Sequence, residues 1–203
     1  MKFNLSEITE LIKSRRSIRP ESFTSRKVQR DQIELILSNA QWAPNHGKTE
    51  PWRFIVFEAE EARKSLSQEL GSIYLKEVHE KEQNDAKLAK LIRRPLISSV
   101  VIAVCMSRQK EERIPEIEEI EAVACAIQNI QLTATAYGIG SFWSSPKIIY
   151  SDSMKAFLEL EEKDKCLGLI YLGYSKEEWP KSHRKPLEYL SLIHISEPTR
   201  PPE

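Results

Sequence analysis

Apolar positions recur along the chain with two different periods, and the switches between them divide it into elements. Leu5, Ile8, Leu11 and Ile12 fall on one helical face, with Ser6 placed to cap the N-terminus. This helix runs into Ser14-Arg15-Arg16-Ser17-Ile18-Arg19, and Pro20 forbids its continuation. Ile33, Ile36, Leu37 and Ala40 mark a second helix that stops before Pro44. A loop rich in turn formers, Ala43 to Pro51, then feeds Trp52-Arg53-Phe54-Ile55-Val56-Phe57, whose aromatic and β-branched content predicts a strand.

From about Glu58 to Arg94 the pattern is helical and unusually charged, as expected of a solvated face. Ser99 to Met106 is apolar without alternation, which predicts a central strand covered on both faces. The helix from about Ile117 to Tyr137 is apolar nearly all round and lined with small residues, so burial on several sides is expected, with Gly138 at its C-cap. Gly140 to Pro146 reads as a short strand and turn, Met154 to Leu160 as one more helix, and Cys166 to Tyr174 as a last strand. Long helices interleave irregularly with few strands, which predicts an α+β layer fold rather than a doubly wound one.

Composition narrows the function. The 203 residues carry 30 Lys+Arg against 30 Asp+Glu, and 40% are hydrophobic. One domain with one good core is expected at this length. Zero formal net charge argues against a general nucleic-acid or membrane-surface binder, since both partners reward a basic excess. The longest apolar run, Val100 to Met106, is too short to span a bilayer, and the N-terminus has no signal-peptide core, so a cytoplasmic location is expected. Cys105, Cys125 and Cys166 form no Cys-x-x-Cys pair and are each read as a buried free thiol. The four histidines show no metal-ligand spacing.

Three features rise above this background. Arg15-Arg16-Ser17-Ile18-Arg19 offers planar forks of donors and a hydroxyl at a helix end, a pattern suited to phosphate, although basic residues there also complement a helix dipole. Pro44-Asn45-His46 forms a rigid turn with a histidine ahead of Pro51-Trp52. Phe142-Trp143-Ser144-Ser145-Pro146 sets an aromatic beside small polar donors. No dinucleotide fingerprint, phosphate loop, nucleophile elbow or catalytic triad spacing occurs. An enzyme without its own nucleophile borrows chemistry from a cofactor.

Taken in order, these features resemble the FMN-dependent nitroreductase family, particularly its smaller members. The resemblance runs from about Leu5 to Leu187 and includes the Tyr137-Gly138-Ile139-Gly140 turn, Tyr171-Leu172-Gly173-Tyr174 and Arg184-Lys185-Pro186-Leu187. It implies a three-layer α/β/α arrangement around a mixed, mainly antiparallel sheet, in an intertwined homodimer with FMN at the subunit interface. It implies NAD(P)H as reductant and a small-molecule acceptor such as a nitroaromatic or quinone, with ping-pong hydride transfer through flavin N5 and no catalytic side chain. Residue by residue, it implies Arg15 and Ser17 at the FMN phosphate, Arg16 on the ribityl or phosphate side and Arg19 at the pyrimidine edge. Pro44, Asn45 and His46 would touch the ring from the other subunit. Trp42 stands where relatives often carry arginine. Trp143, Ser144 and Ser145 would run beside the ring, with Ser144 replacing an arginine of some relatives, and Arg184 would close on the phosphate. Those two replacements keep a second reading open, an FMN-binding or sensing protein without turnover. Residues 1–190 are thus expected to form the flavin-binding domain. The Pro-rich stretch 191–203 matches nothing in the family and resembles translated sequencing-adaptor readthrough, so it is expected to be disordered or non-native.

Overall fold

The computed structural model describes residues 2–186. The expected domain boundary at 190, the 191–203 tail and Leu187 lie outside the described residues. Four strands form one sheet: β1 (Trp52–Phe57), β2 (Val100–Met106), β3 (Gly140–Ser144) and β4 (Lys165–Gly173), in the order β1-β2-β4-β3. All three pairings are antiparallel, and the parallel component expected of a mixed sheet reduces to one isolated bridge, Ser17 to Ser141.

The unbroken apolar run of β2 has its cause in the layers on either side. Val100, Ile102, Val104 and Met106 face α2 (Arg30–Ala40) and α5 (Glu116–Ala136), where Ile36, Val123, Ile127 and Ile130 pack with them. Val101, Ala103 and Cys105 face the opposite layer, built from α3 (Glu60–Glu77), α4 (Asp85–Ile97) and α6 (Asp152–Phe157), through Leu66, Leu70, Leu91 and Met154. Every residue of β2 is buried. Each of its valine, isoleucine and methionine side chains contributes about 1.5–3 kcal/mol of transfer free energy. The result is the three-layer α/β/α arrangement.

Several local expectations need correction. The first helix, α1 (Leu5–Ser14), is capped by Asn4, whose Oδ1 accepts from the amides of Ser6 and Glu7; Ser6 is inside the helix. The charged stretch 58–94 is helical, as expected, and divides into two helices. Gln83 donates to the carbonyls of Leu75 and Val78 at 3.2 and 2.9 Å, closing the end of α3, and Asn84 caps α4 by accepting from the Lys87 amide at 2.9 Å. Helix α5 is buried on several sides, as expected, against α1, α2 and the sheet, and leaves one open stripe at helical spacing, Ile117, Glu121, Cys125 and Gln128. Cys125 is therefore exposed, whereas Cys105 and Cys166 are buried partners across β2 and β4. The hydrogen bond that Cys105 shares with Cys166, together with burial, pushes the Cys105 thiol well above its ordinary range. No helix among the described residues is long and apolar enough to cross a membrane.

Candidate functional site

The end of α1 carries the first group of candidate residues. The chain leaves the helix at Arg15 in an extended conformation and runs beside β3, where Ile18 donates its amide to the Ser141 carbonyl at 2.9 Å. The approach is close: a Cβ on Gly140 would lie 2.9 Å from Cβ of Ile18, so only glycine fits there. Arg16 donates to three carbonyls, those of Pro180 at 2.8 Å, Lys13 at 2.5 Å and Arg15 at 2.8 Å. Two ends of the sequence are thereby clamped together, and Arg184 comes to the side of Arg15.

Burial, followed by the charges of Arg184 and Arg16, holds the Arg15 guanidinium below its ordinary pKa. Among the described residues, none of Arg15, Arg16, Arg19 and Arg184 is in an ion pair with a carboxylate. Arg15 and Arg16 are half-buried and Arg19 and Arg184 exposed, and like charges gathered in this way favour a bound anion. Ser17 and Arg19 line a neighbouring cavity of about 380 Å³ with Glu21, Ser22, Ser175 and Pro180.

Glu21 links this region to the interior. Its Oε1 accepts from Arg94 at 2.9 Å, and the Arg94 guanidinium lies 4.9 Å from the centre of the Phe142 ring. Burial alone would raise the Glu21 carboxyl, but its backbone amide and Arg94 outweigh that and hold it below the usual carboxylate range. A carboxyl depressed on folding adds stability above its unfolded pKa of about 4.3, and that stability is lost as pH falls through the lower folded value. Glu21→Gln should therefore destabilise the protein at neutral pH and much less at strongly acidic pH. Urea titrations of both proteins at the two pH values check this; a gap that widens on acidification would contradict it.

The second group sits further along β3. Trp143 is 41% exposed and donates its indole N–H to the Leu167 carbonyl at 3.1 Å. It is an edge-strand aromatic rather than a core tryptophan. Gly168 makes the room beneath it: φ is +145°, and a Cβ there would stand 2.3 Å from Trp143 Nε1. Gly168→Ala should cost about 2 kcal/mol from the backbone alone and shift tryptophan emission as Trp143 is displaced. Unchanged emission and stability would show that the strand tolerates a side chain. Ser144 is half-buried and Ser145 exposed at the strand's end.

The third group lies elsewhere. Asn45 Oδ1 accepts from the Glu50 amide at 3.1 Å, closing a loop in which Lys48 and Glu50 both have positive φ. Strain of this kind gathers at functional sites. His46 Nδ1 meets Glu118 Oε2 of α5 at 2.5 Å, Pro44 is exposed, and Trp42 is 84% exposed. The loop precedes β1, at the sheet edge opposite β3. Trp52 aligns through Met106 with Lys165, whereas Ser141 aligns with Leu172, seven residues along β4. At about 3.4 Å per residue and 4.8 Å per strand, these corners are roughly 28 Å apart. The fold brings Arg15, Arg16 and Arg184 near one another with Ser17 and Arg19 beside them, sets Trp143 further along β3, and leaves Trp42, Pro44, Asn45 and His46 at the far corner.

Sequence reading missed Ser141, Gly168, Glu21 and Glu118. A glycine inside an apolar strand was a usable signal for close approach at Gly168; the others left no local signature.

The Nitroreductase family model matches residues 12–174. The Bacillus subtilis (strain 168) protein named "Putative NAD(P)H nitroreductase YfhC" is 30% identical over 182 residues, covering 90% of this chain and 91% of that protein. A nitroreductase-like family protein from Bacillus cereus superimposes with a TM-score of 0.79 at 28% identity, covering 97% of this chain and all (100%) of the other. A protein of Desulfovibrio desulfuricans, solved in complex with FMN, gives a TM-score of 0.71 at 25% identity, covering 98% and 100%.

Proposed function

The chain belongs to the nitroreductase family, and on that premise we propose that it is an FMN-dependent oxidoreductase. In this reading it passes electrons from NAD(P)H to small acceptors, nitroaromatics or quinones among them, in ping-pong order. For a nitro group the balanced two-electron reaction is ArNO₂ + NAD(P)H + H⁺ → ArNO + NAD(P)⁺ + H₂O. Bound FMN supplies the hydride chemistry that no side chain here offers. The relatives carry this reading in part: one is named for NAD(P)H, and another was solved with FMN.

The observation that carries it on this chain is the guanidinium cluster of Arg15, Arg16 and Arg184, half-buried at Arg15 and Arg16, exposed at Arg184, and in no ion pair among the described residues. A phosphate is the anion that such forks suit best. Arg15, Ser17 and Arg184 would hold it, and Arg19 would stabilise negative charge at the pyrimidine edge of the ring. Arg16 spends most of its donors as the clamp that brings Arg184 into place. Trp143, Ser144 and Ser145 would flank the ring. Substrate protons come from solvent, so no acid or base is required.

A homodimer completes the arrangement. Pro44, Asn45, His46 and Trp42 are too far from the arginine cluster to serve the same ligand within one chain, so the partner's copies would do so. Leu5, Ile8 and Ile12 of α1, Trp42, and Ile117 of α5 are all exposed apolar residues. Leu5, Ile8 and Ile12 share a face of α1, and exposed apolar side chains of this kind suit an association surface. The protein should sediment as a dimer.

Purified protein should be yellow and should oxidise NADH or NADPH when given a nitroaromatic or a quinone. A colourless protein that takes up no FMN at tens of micromolar would sink the proposal. Bound FMN with no oxidation under any acceptor would favour the sensing role instead.

A further inference from the structure

A second cavity, about 690 Å³, opens between α3, α4 and the turn that follows β3. Its volume is within the range of small-molecule sites. Its rim includes Ser144, one of the residues assigned above to the flavin ring, so the two sites adjoin. Tyr74, Leu91, Ile148 and Tyr150 give it aromatic and aliphatic walls.

Charge is distributed unevenly around those walls. Lys87, Lys90 and Arg94 fall on one face of α4, because positions three, four and seven apart share a side of a helix. Lys147 lines the cavity from the turn after β3. Arg94 is already committed to Glu21 and to the Phe142 ring. Glu77 accepts from the Ser153 hydroxyl at 2.6 Å, and that hydroxyl in turn accepts from Lys76. Glu82 is the remaining acid. Lys87, Lys90 and Lys147 are in no ion pair among the described residues. Three ammonium groups outside any ion pair thus face the two carboxylates of Glu77 and Glu82, and cations remain in excess.

We propose that this cavity is the acceptor pocket and that it selects anionic aromatic acceptors, with the ring between the tyrosine and aliphatic walls and the acid group toward Lys87, Lys90 and Lys147. The proposal rests on the flavin reading above for the identity of the neighbouring site. The electrons come from NAD(P)H by the balanced reaction already given, and the acid group takes no part in it.

The experiment is a calorimetric titration of the flavin-loaded protein with para-nitrobenzoate and with its uncharged isostere para-nitrobenzamide, alongside KM for each. The acid should bind on the order of tenfold tighter at low ionic strength, since each exposed lysine is worth roughly two- to fivefold. The preference should shrink as salt is added. In a Lys87→Gln/Lys90→Gln/Lys147→Gln variant the acid-to-amide ratio should fall to about one, whereas Arg93→Gln, on α4 but outside the cavity, should leave it as in the parent. Equal binding of acid and amide by the parent, or a preference that survives the triple substitution, overturns the inference. A chain without flavin overturns the function proposed above; the same titration on flavin-free protein still reads the charge preference, so the two failures are distinct.

Discussion

Arg108→Met should lower the free energy of unfolding by about 3–5 kcal/mol, because it strands a carboxylate in the interior. Glu119 sits near the start of α5 with its side chain 1% exposed, and its Oε2 pairs with Arg108, itself 10% exposed. Arg108 also donates to the Ile114 carbonyl at 2.7 Å, and its backbone amide donates to Asp164 at 2.8 Å. The other Glu119 oxygen has no partner at all. Nothing remains to balance the charge once the guanidinium is gone. Urea unfolding at neutral pH measures the loss. Adding Glu119→Leu to Arg108→Met should recover most of it, since a buried pair replaced by apolar groups leaves no charge to solvate. If the single substitution shifts stability by less than about 1 kcal/mol, water reaches Glu119 and the pair is a surface one.

Arg15→Ala should weaken FMN binding roughly tenfold to a hundredfold, the equivalent of about 1.5–3 kcal/mol for a charge-assisted hydrogen bond. Its guanidinium is held below its ordinary pKa by burial and by Arg184 and Arg16, so a bound dianion would relieve repulsion as well as accept hydrogen bonds. Arg15→Lys should restore part of the affinity, because a point charge lacks the planar fork. Riboflavin has no phosphate and should bind parent and variant alike. Equal loss for riboflavin and FMN would move Arg15 from the phosphate to the ring or to the fold. Arg184→Ala should have a smaller effect, since Arg184 is exposed.

The contrast between these two arginines shows what the sequence could and could not reveal. The order of helices and strands was legible because burial on both faces of β2 demands an apolar run, and burial on one face of α2 demands helical spacing. The break at Asn84 was less so: the charges on either side continue a helical pattern, and the break comes from Gln83 reaching back to the end of α3 while Asn84 accepts from the Lys87 amide ahead of it. Arg15 stood out in a basic cluster at a helix end. Arg108 did not, because its partner Glu119 lies among Glu116, Glu118 and Glu121, and only packing decides which of four acids turns inward. For the candidate site, the segments were visible but their assembly was not. Arg184 reaches Arg15 through the Arg16 clamp, a contact between residues far apart in the chain. Trp143 gave no sign of whether it pointed in or out until Gly168 was seen beneath it.

One contact near the site has a consequence for handling the protein. Strand β3 ends the sheet, and an uncovered end strand is a template on which another chain can add. The bridge from Ser17 to Ser141 and the Ile18 amide cover part of that edge. The segment that supplies them also carries the arginines whose mutual repulsion an anion would relieve. An anion on that cluster should steady the guard on the edge, so a preparation stripped of ligand should fail by clumping before it fails by unfolding, and phosphate in the buffer should act as a preservative.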